Sequence, residues 1–408
     1  MNLVRMTRCH GTRIQALLRE VILPARQNKI RLPQMTPGTA RSIAWFRFGN
    51  PGARPKVYLQ SSIHANELPG AMLLHYLMPM LAEADRAGRI KGEVICVPTV
   101  NPIGQAQLVG NTHLGRYDLL SRDNFNRNWP DLSGAIADSV GSKLGRGAND
   151  GDANVALIRK AALAALRAME PMNELQTMRV EMLKLSIDSD AVFDLHCDLE
   201  SVLHVFTSAR DIGGTVETLS ADIGALCTMY NHPYPEALTF SGVNGALWAR
   251  LAARFPDAAI PQACFSITIE LRGQADVTHA LGEADAKNMF RYLVRRGVIS
   301  GNAGPLPKIK SAPTPIGGMD VGYSPVNGFI VYAVAPGAKV RNGQTICEII
   351  DPRSLDGPAA RTVIKARSDG IVFSRRRNGQ LAWPGMVVYR IAGPKLLAHR
   401  KGMSGLDD

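Results

Sequence analysis

The sequence predicts an α/β fold: a mixed central sheet flanked by helices on both faces, followed by a small all-β domain. Three observations predict it. From residue 56 onward, strand-length apolar runs alternate with stretches of helical periodicity, the pattern of parallel or mixed sheets. A Gly/Pro-rich stretch at 301–318 breaks that alternation. Beyond it only short β-rich runs remain, punctuated by Gly and Asp.

Residues 1–25 are Arg-rich, with Ile14, Leu17, Leu18 and Val21 at helical spacing. They read as a short amphipathic helix in a basic segment, 1–45, that packs on the main domain; an organelle transit segment shares this look. No signal-type apolar region is present. Val57–Leu59 reads as a strand, and Leu68–Ala84 as a helix with Pro69 in its first turn, where the missing N–H costs little. Glu93–Val100 is a second strand. Residues 133–154 read as a Gly/Asp-rich loop, 155–169 as a helix, and a further helical run follows Pro171 to Leu185. Ala191–Leu195 and Phe265–Leu271 are buried strands. The main domain is 46–302, the linker 303–315, the β domain 316–393 and the tail 394–408.

With 46% hydrophobic residues over 408 positions, the chain has material for a sizeable core, which excludes wholesale disorder. The greasiest stretch, Ala71–Leu81, is too short to span a bilayer and contains His75. Six cysteines without CxxC pairing exclude a disulfide scaffold and a thiolate zinc site, and fit a reducing, cytoplasmic setting. The net charge of +12 divides unevenly. Residues 1–60 carry 11 Lys and Arg against one acid, and 301–408 carry 15 against 7, leaving the middle of the chain mildly acidic. A nucleic-acid enzyme would place its basic charge around its active region, so the expectation is no nucleic-acid partner and no membrane.

Four pieces carry chemistry. His64 and Glu67 stand three apart on a loop that leaves a strand and opens a helix, where both can face one ion; a helix-start Glu beside a surface His gives the same spacing. Asp194-Leu-His196 ends an apolar strand, so Asp194 and His196 share one side of it and Asp194 can orient the imidazole. Cys197 faces the other way and reads as a small core residue. Two His and one carboxylate leave a coordination position open, as hydrolytic zinc sites require. Glu270, among β-branched residues near a strand end, is a candidate general base, and an ion pair with Arg272 is the alternative. Finally, 116–129 crowds Arg116, Arg127 and several amides into one segment; guanidinium groups bind carboxylates and oxyanions, or make surface ion pairs.

Taken in order, HxxE at His64/Glu67, RYD…NFNR at 116–127, DLHCD at 194–198 and TIELRG at 268–273 resemble the succinylglutamate desuccinylase/aspartoacylase family, a branch of the carboxypeptidase A-like zinc hydrolases. The resemblance runs from about 56 to 393. It implies a zinc carboxypeptidase-like catalytic domain and a C-terminal barrel-sandwich-like β domain that walls the site entrance. It implies that His64, Glu67 and His196 bind one Zn2+ ion, that Glu270 is the base, that Arg116 meets the oxyanion (Arg122 being the substitute), and that Asn126 and Arg127 grip the substrate carboxylate. The activity implied is cleavage of a small N-acyl amino acid, with a zinc carboxypeptidase and a non-catalytic binding protein as rivals and a homo-oligomer left open. The β domain lacks the Met-Lys-Met or Asp-Lys-Ala setting of carrier domains, so no swinging arm is expected.

Overall fold

The computed structural model describes residues 26–231, 238–353 and 357–400. The helix expected within 1–25 lies outside them. A nine-stranded mixed sheet runs in the spatial order Arg26–Arg31, Ser42–Gly49, Glu93–Val97, Lys56–Ser61, Ala191–Asp198, Phe265–Gly273, Leu203–Ser208, Cys227–Asn231, Thr314–Pro315. The four strands from Glu93–Val97 to Phe265–Gly273 are mutually parallel, and Leu203–Ser208 lies antiparallel to the last of them.

The period-two alternation of a strand divides its side chains between two cores. On Lys56–Ser61, Tyr58 packs into one apolar cluster while Val57 and Leu59 enter the other. The first cluster is closed by the helices Ser133–Val140, Gly151–Arg167, Glu174–Ser186 and Phe240–Arg254. The second is closed by Pro69–Arg86, Thr215–Ile223 and His279–Arg295. The α/β sheet with helices on both faces is thus what the sequence predicts.

Two elements depart from the sequence reading. Ser133–Val140, inside the expected loop, is helical because Ile136, Ala137 and Val140 are buried against the sheet, and that packing outweighs the Ser/Gly/Asp composition around it. Arg26–Arg31 pairs antiparallel with Ser42–Gly49 at the sheet edge. Its polar, basic sequence suits an edge strand, where charge discourages further pairing, and hides the strand from hydropathy.

The C-terminal region is built from two antiparallel sheets whose shared core includes Ile330, Ile346, Val372, Val388 and Ile391. Its strand Gly370–Arg375 pairs with Glu200–Ser201 of the main domain, and Ile316, Met319 and Phe373 pack on Cys227 and Met229. Among the described residues no helix is long and apolar enough to cross a membrane.

Candidate metal centre and active site

The site forms at the carboxyl ends of the central parallel strands, where loops leaving adjacent strands meet. Lys56–Ser61 delivers His64 and Glu67 through a sharp turn in which Ser62 adopts a left-handed conformation (φ 60°). The helix Pro69–Arg86 then starts close against the sheet. A Cβ on Gly70 would stand 2.7 Å from the Cβ atoms of both Leu195 and Ser61, so only glycine permits this approach. The neighbouring strand Ala191–Asp198 brings His196 alongside, and Phe265–Gly273 places Glu270 in register with His196.

His64, Glu67 and His196 are all buried, and one ligand atom from each lies within 4.8 Å of the others. Glu67 Oε1 is 3.0 Å from His64 Nδ1, and Glu67 Oε2 is 2.8 Å from His196 Nδ1. The outer ring nitrogens are engaged elsewhere. His196 Nε2 meets Asp194 Oδ2 at 2.9 Å, and His64 Nε2 meets Asn124 Oδ1 at 2.9 Å. Both nitrogens of His196 thus face carboxylates that only accept, and a metal ion taken up between Nδ1 and Glu67 would leave the ring proton on Nε2, against Asp194. The expectation that Asp194 orients His196 from the same side of the strand matches this geometry. Two imidazole nitrogens and one carboxylate, buried and backed by further polar groups, are a donor set that fits a divalent metal ion.

The electrostatics are those of a site that concentrates charge. Burial opposes ionisation of Glu67, yet the adjacent His64 and His196 hold it well below the ordinary carboxyl range. Burial lowers the basicity of His64. His196 is also disfavoured as a cation by burial, but Asp194 and Glu67 outweigh this and raise it well above its ordinary value.

Glu270 resolves the alternative left open by the sequence. Arg272 forms a two-pronged pair with Asp285, through Nη1 at 3.2 Å and through Nη2, so it is not the partner of Glu270. Glu270 Oε2 is enclosed and has no hydrogen-bond partner. Burial pushes its carboxyl up to about 8, Glu67 and Asp198 adding to the push while His196 opposes it. Arg272 itself has φ 63°, and the register with the neighbouring strand slips between Glu270 and Gly273, a bulge that bends the strand just past Glu270.

The segment 116–129 crosses above these strand ends. Gly115 makes the crossing possible: its carbonyl accepts from Ala65 N at 2.8 Å, and a Cβ there would stand 2.3 Å from Asn66 N. Arg116 consequently lies over the centre, Nη1 being 3.3 Å from Glu67 Oε1 and 3.4 Å from His64 Nδ1. Arg122 sits on an exposed turn instead. Asn126 is buried, and its amide is held at both ends: Nδ2 donates to Asp194 Oδ2 at 3.3 Å, beside the His196 ring, and Oδ1 accepts from Phe240 N at 2.8 Å. Arg127, half-buried, donates Nη1 to Asn126 O at 3.0 Å. The structure therefore gathers His64, Glu67, His196, Glu270, Arg116 and Asn126 at one place, with Arg127 next in chain. The sequence did not single out Asn124 or Gly115; the amide-rich composition of 124–128 was the only signal for the first.

A family model for the succinylglutamate desuccinylase/aspartoacylase catalytic domain matches residues 53–140. The resemblance read from the motifs holds. The matched span contains the His64/Glu67 pair and the 116–127 segment; His196 and Glu270 lie beyond it. Among solved structures, one assigned to the family from Shewanella frigidimarina NCIMB 400 is similar at 20% identity and a TM-score of 0.79, covering 90% of this chain and 97% of that one. A second, from Shewanella amazonensis SB2B, gives 20% and 0.78 over 90% and 98%. The product-bound ectoine utilization protein EutE (DoeB) from Ruegeria pomeroyi is similar at 16% and 0.60 over 91% and 95%. At these identities the likeness is one of fold, and it extends through the C-terminal β region as well as the family's catalytic domain. No curated protein matches the sequence.

Proposed function

We propose that the protein is a zinc-dependent deacylase that hydrolyses the amide of a small N-acyl amino acid, giving a carboxylic acid and a free amine. The observation that carries this reading is the convergence of two imidazoles and a carboxylate within 4.8 Å, beside an enclosed carboxyl with no partner. The nitrogen and oxygen donors suit zinc, and three protein ligands leave a position for water. When bound there, zinc supplies a Lewis acid and lowers the pKa of a coordinated water to roughly 7.

The chain's own residues supply the rest. Glu67 and the two Nδ1 atoms would hold the ion, and Asp194 fixes the His196 ring. Glu270 Oε2, lacking any other partner, receives the water proton and returns it to the departing nitrogen, for which a carboxyl raised toward neutrality is suited. Arg116 presents N–H groups where the amide oxygen gains negative charge. Arg127 grips the carboxylate of the amino acid and orients it. Asn126, its Oδ1 engaged by Phe240 N and its Nδ2 by Asp194, is held in place and joins Arg127 in this grip through its second amide N–H.

A small substrate is favoured because the β domain reaches the site. Ser374 Oγ donates to Asp198, two residues past His196, and Arg390 Nη1 lies 3.4 Å from the same carboxylate. The family relatives, named for acyl amino acids, support this choice over peptides. The proposal includes a cytoplasmic setting and no nucleic-acid or membrane partner; the five described cysteines are free and buried. The test is metal analysis of the purified protein together with a hydrolysis screen of N-acyl amino acids against peptides with free C-termini. One zinc per chain and turnover of acyl amino acids are expected. Preferential cleavage of peptides would replace the reading by a carboxypeptidase, and a metal-free, inert protein would make it a binding protein.

A further inference from the structure

We infer that Gln60 is a positioning residue for Asp194 and, through it, for the metal ligand His196, with Tyr58 at the far end of the same hydrogen-bond series. This rests on the metal-site reading above and goes beyond it. Gln60 is the misfit of its strand. Lys56–Ser61 is buried along its length between two parallel neighbours, a setting that favours apolar side chains, and Gln60 has no exposed surface. A buried amide has to satisfy its hydrogen bonds or destabilise the fold. The strand register decides where they go. Gln60 lies beside Asp194 across the parallel pair. Period-two alternation puts Tyr58 on the same face as Gln60, and His196 on the same face as Asp194. Gln60 Nε2 donates to Asp194 Oδ1 at 2.9 Å, and Tyr58 Oη donates to Gln60 Oε1 at 2.9 Å. The carboxylate only accepts, so the amide nitrogen faces Asp194 and the amide oxygen is left for Tyr58.

The series serves the site by dividing the two oxygens of Asp194. Oδ2 backs the His196 ring at 2.9 Å and also meets Asn126 Nδ2 at 3.3 Å. Oδ1 has Gln60 as its one hydrogen-bond donor among the described residues. Holding Oδ1 keeps the carboxylate from turning about its Cβ–Cγ bond, so Oδ2 stays in line with the ring. Without Gln60 the carboxylate could turn and share the partners of Oδ2 between both oxygens, which would loosen the imidazole. Tyr58, itself without exposed surface, holds the amide from behind, and Met182 Sδ at 3.4 Å closes the series on Glu174–Ser186. Among the described residues neither Gln60 nor Tyr58 hydrogen-bonds to His64, Glu67 or His196, so both act only through Asp194. Gln60 also stands on the strand that delivers His64 and Glu67, so its bond to Asp194 ties together the two strands that carry the ligand set.

The experiment is zinc affinity by chelator competition on the full chain, with the visible spectrum of the cobalt(II)-loaded protein as a second reading of the ligand set and circular dichroism to monitor the fold. Gln60→Met keeps the length and loses the donor; Tyr58→Phe loses only the hydroxyl. Leu59→Ala is the control, since it lies between them on the same strand but in the opposite core, and destabilises the fold without touching the series. Gln60→Met is expected to weaken zinc binding about tenfold, the low end for outer partners of a metal site because Asp194 keeps Asn126, and to shift the cobalt bands. Tyr58→Phe is expected to weaken it about threefold alone and no further in the Gln60→Met background, because the hydroxyl acts only through that amide. Leu59→Ala is expected to bind zinc as wild type does. Unchanged or tighter binding in a folded Gln60→Met, cobalt bands that do not move, additive effects of the two substitutions, or an equal loss in Leu59→Ala would overturn the inference while leaving the metal site standing. Should Gln60→Met fail to fold, Tyr58→Phe decides, and wild-type affinity there would overturn it too. A wild-type chain that binds no zinc would overturn both readings.

Discussion

Replacing Glu270 by Gln should stop catalysis and stabilise the metal-free protein, and the second effect is the more demanding test. The Glu270 carboxyl is held up at about 8 against an ordinary 4.5, because ionising it inside the site is costly. A raised folded-state value means that the carboxyl destabilises the fold increasingly as pH rises from 4.5 through 8, and not below 4.5. At roughly 1.4 kcal/mol for each pKa unit, the full penalty above pH 8 would be on the order of 5 kcal/mol. Glu270 is only half-buried by surface area, so solvent screens part of that charge, and about 1–2 kcal/mol is the realistic expectation. Glutamine keeps the shape and never ionises. Urea unfolding of zinc-stripped wild type and Glu270→Gln should therefore coincide near pH 4.5 and diverge by pH 9, the variant being more stable. In the zinc-loaded proteins, kcat on an acyl amino acid should fall 10²- to 10⁴-fold, the contribution of a positioned general base. Equal stability of the two proteins at pH 9 would refute the electrostatic argument, and undiminished turnover with zinc bound would refute the role.

The other expectations concern the metal and the substrate grip. His196→Ala should lose zinc, seen by elemental analysis, and should lower unfolding stability by about 3–5 kcal/mol, because Glu67 and Asp194 are left as buried carboxylates without their shared imidazole. Full zinc occupancy in that variant would contradict the ligand set. Arg127→Lys keeps the charge but loses the two-pronged geometry, so KM should rise by roughly 10- to 100-fold with a smaller change in kcat. An unchanged KM would assign the carboxylate to another group.

How far the sequence revealed this site depends on the range of the interaction concerned. His64, Glu67 and His196 were legible because each sits at or just beyond the end of an apolar run, and strand ends are where α/β sheets collect ligands. The helices Pro69–Arg86, Gly151–Arg167 and Glu174–Ser186 were legible from local periodicity. What failed to show were pairings decided across the fold. Arg272 looked like the natural partner of Glu270 two residues away, but the left-handed turn at Arg272 sends its side chain to Asp285 on a helix that sequence spacing does not place beside it. Nothing local reveals that Phe240 N and Asp194 fix the amide of Asn126. Asn124 was one of several amides in a polar segment, and Gly115 one of 38 glycines, until the crossing over Ala65 and Asn66 gave each its reason.

The strain at Ser62 makes a last connection between fold and site. A left-handed conformation costs a residue with a Cβ roughly 1–2 kcal/mol, and Ser62 bears it while fully buried, two residues before His64. Its hydroxyl reaches Glu67 O at 3.3 Å, so the turn that costs stability also ties the two ends of the ligand loop together. Glycine at this position would relieve the strain but would give the unfolded chain more freedom and cut the tie. The first two effects nearly cancel, so Ser62→Gly should unfold within about 1 kcal/mol of wild type. Zinc affinity should nevertheless fall, by up to about tenfold, because His64 and Glu67 lose the link that spaces them. Calorimetry alongside chelator competition reads both quantities. A variant that binds zinc as tightly as wild type would show that the strained turn is incidental to the ligand loop; one that loses several kcal/mol of stability would show that Ser62 serves the core rather than the metal.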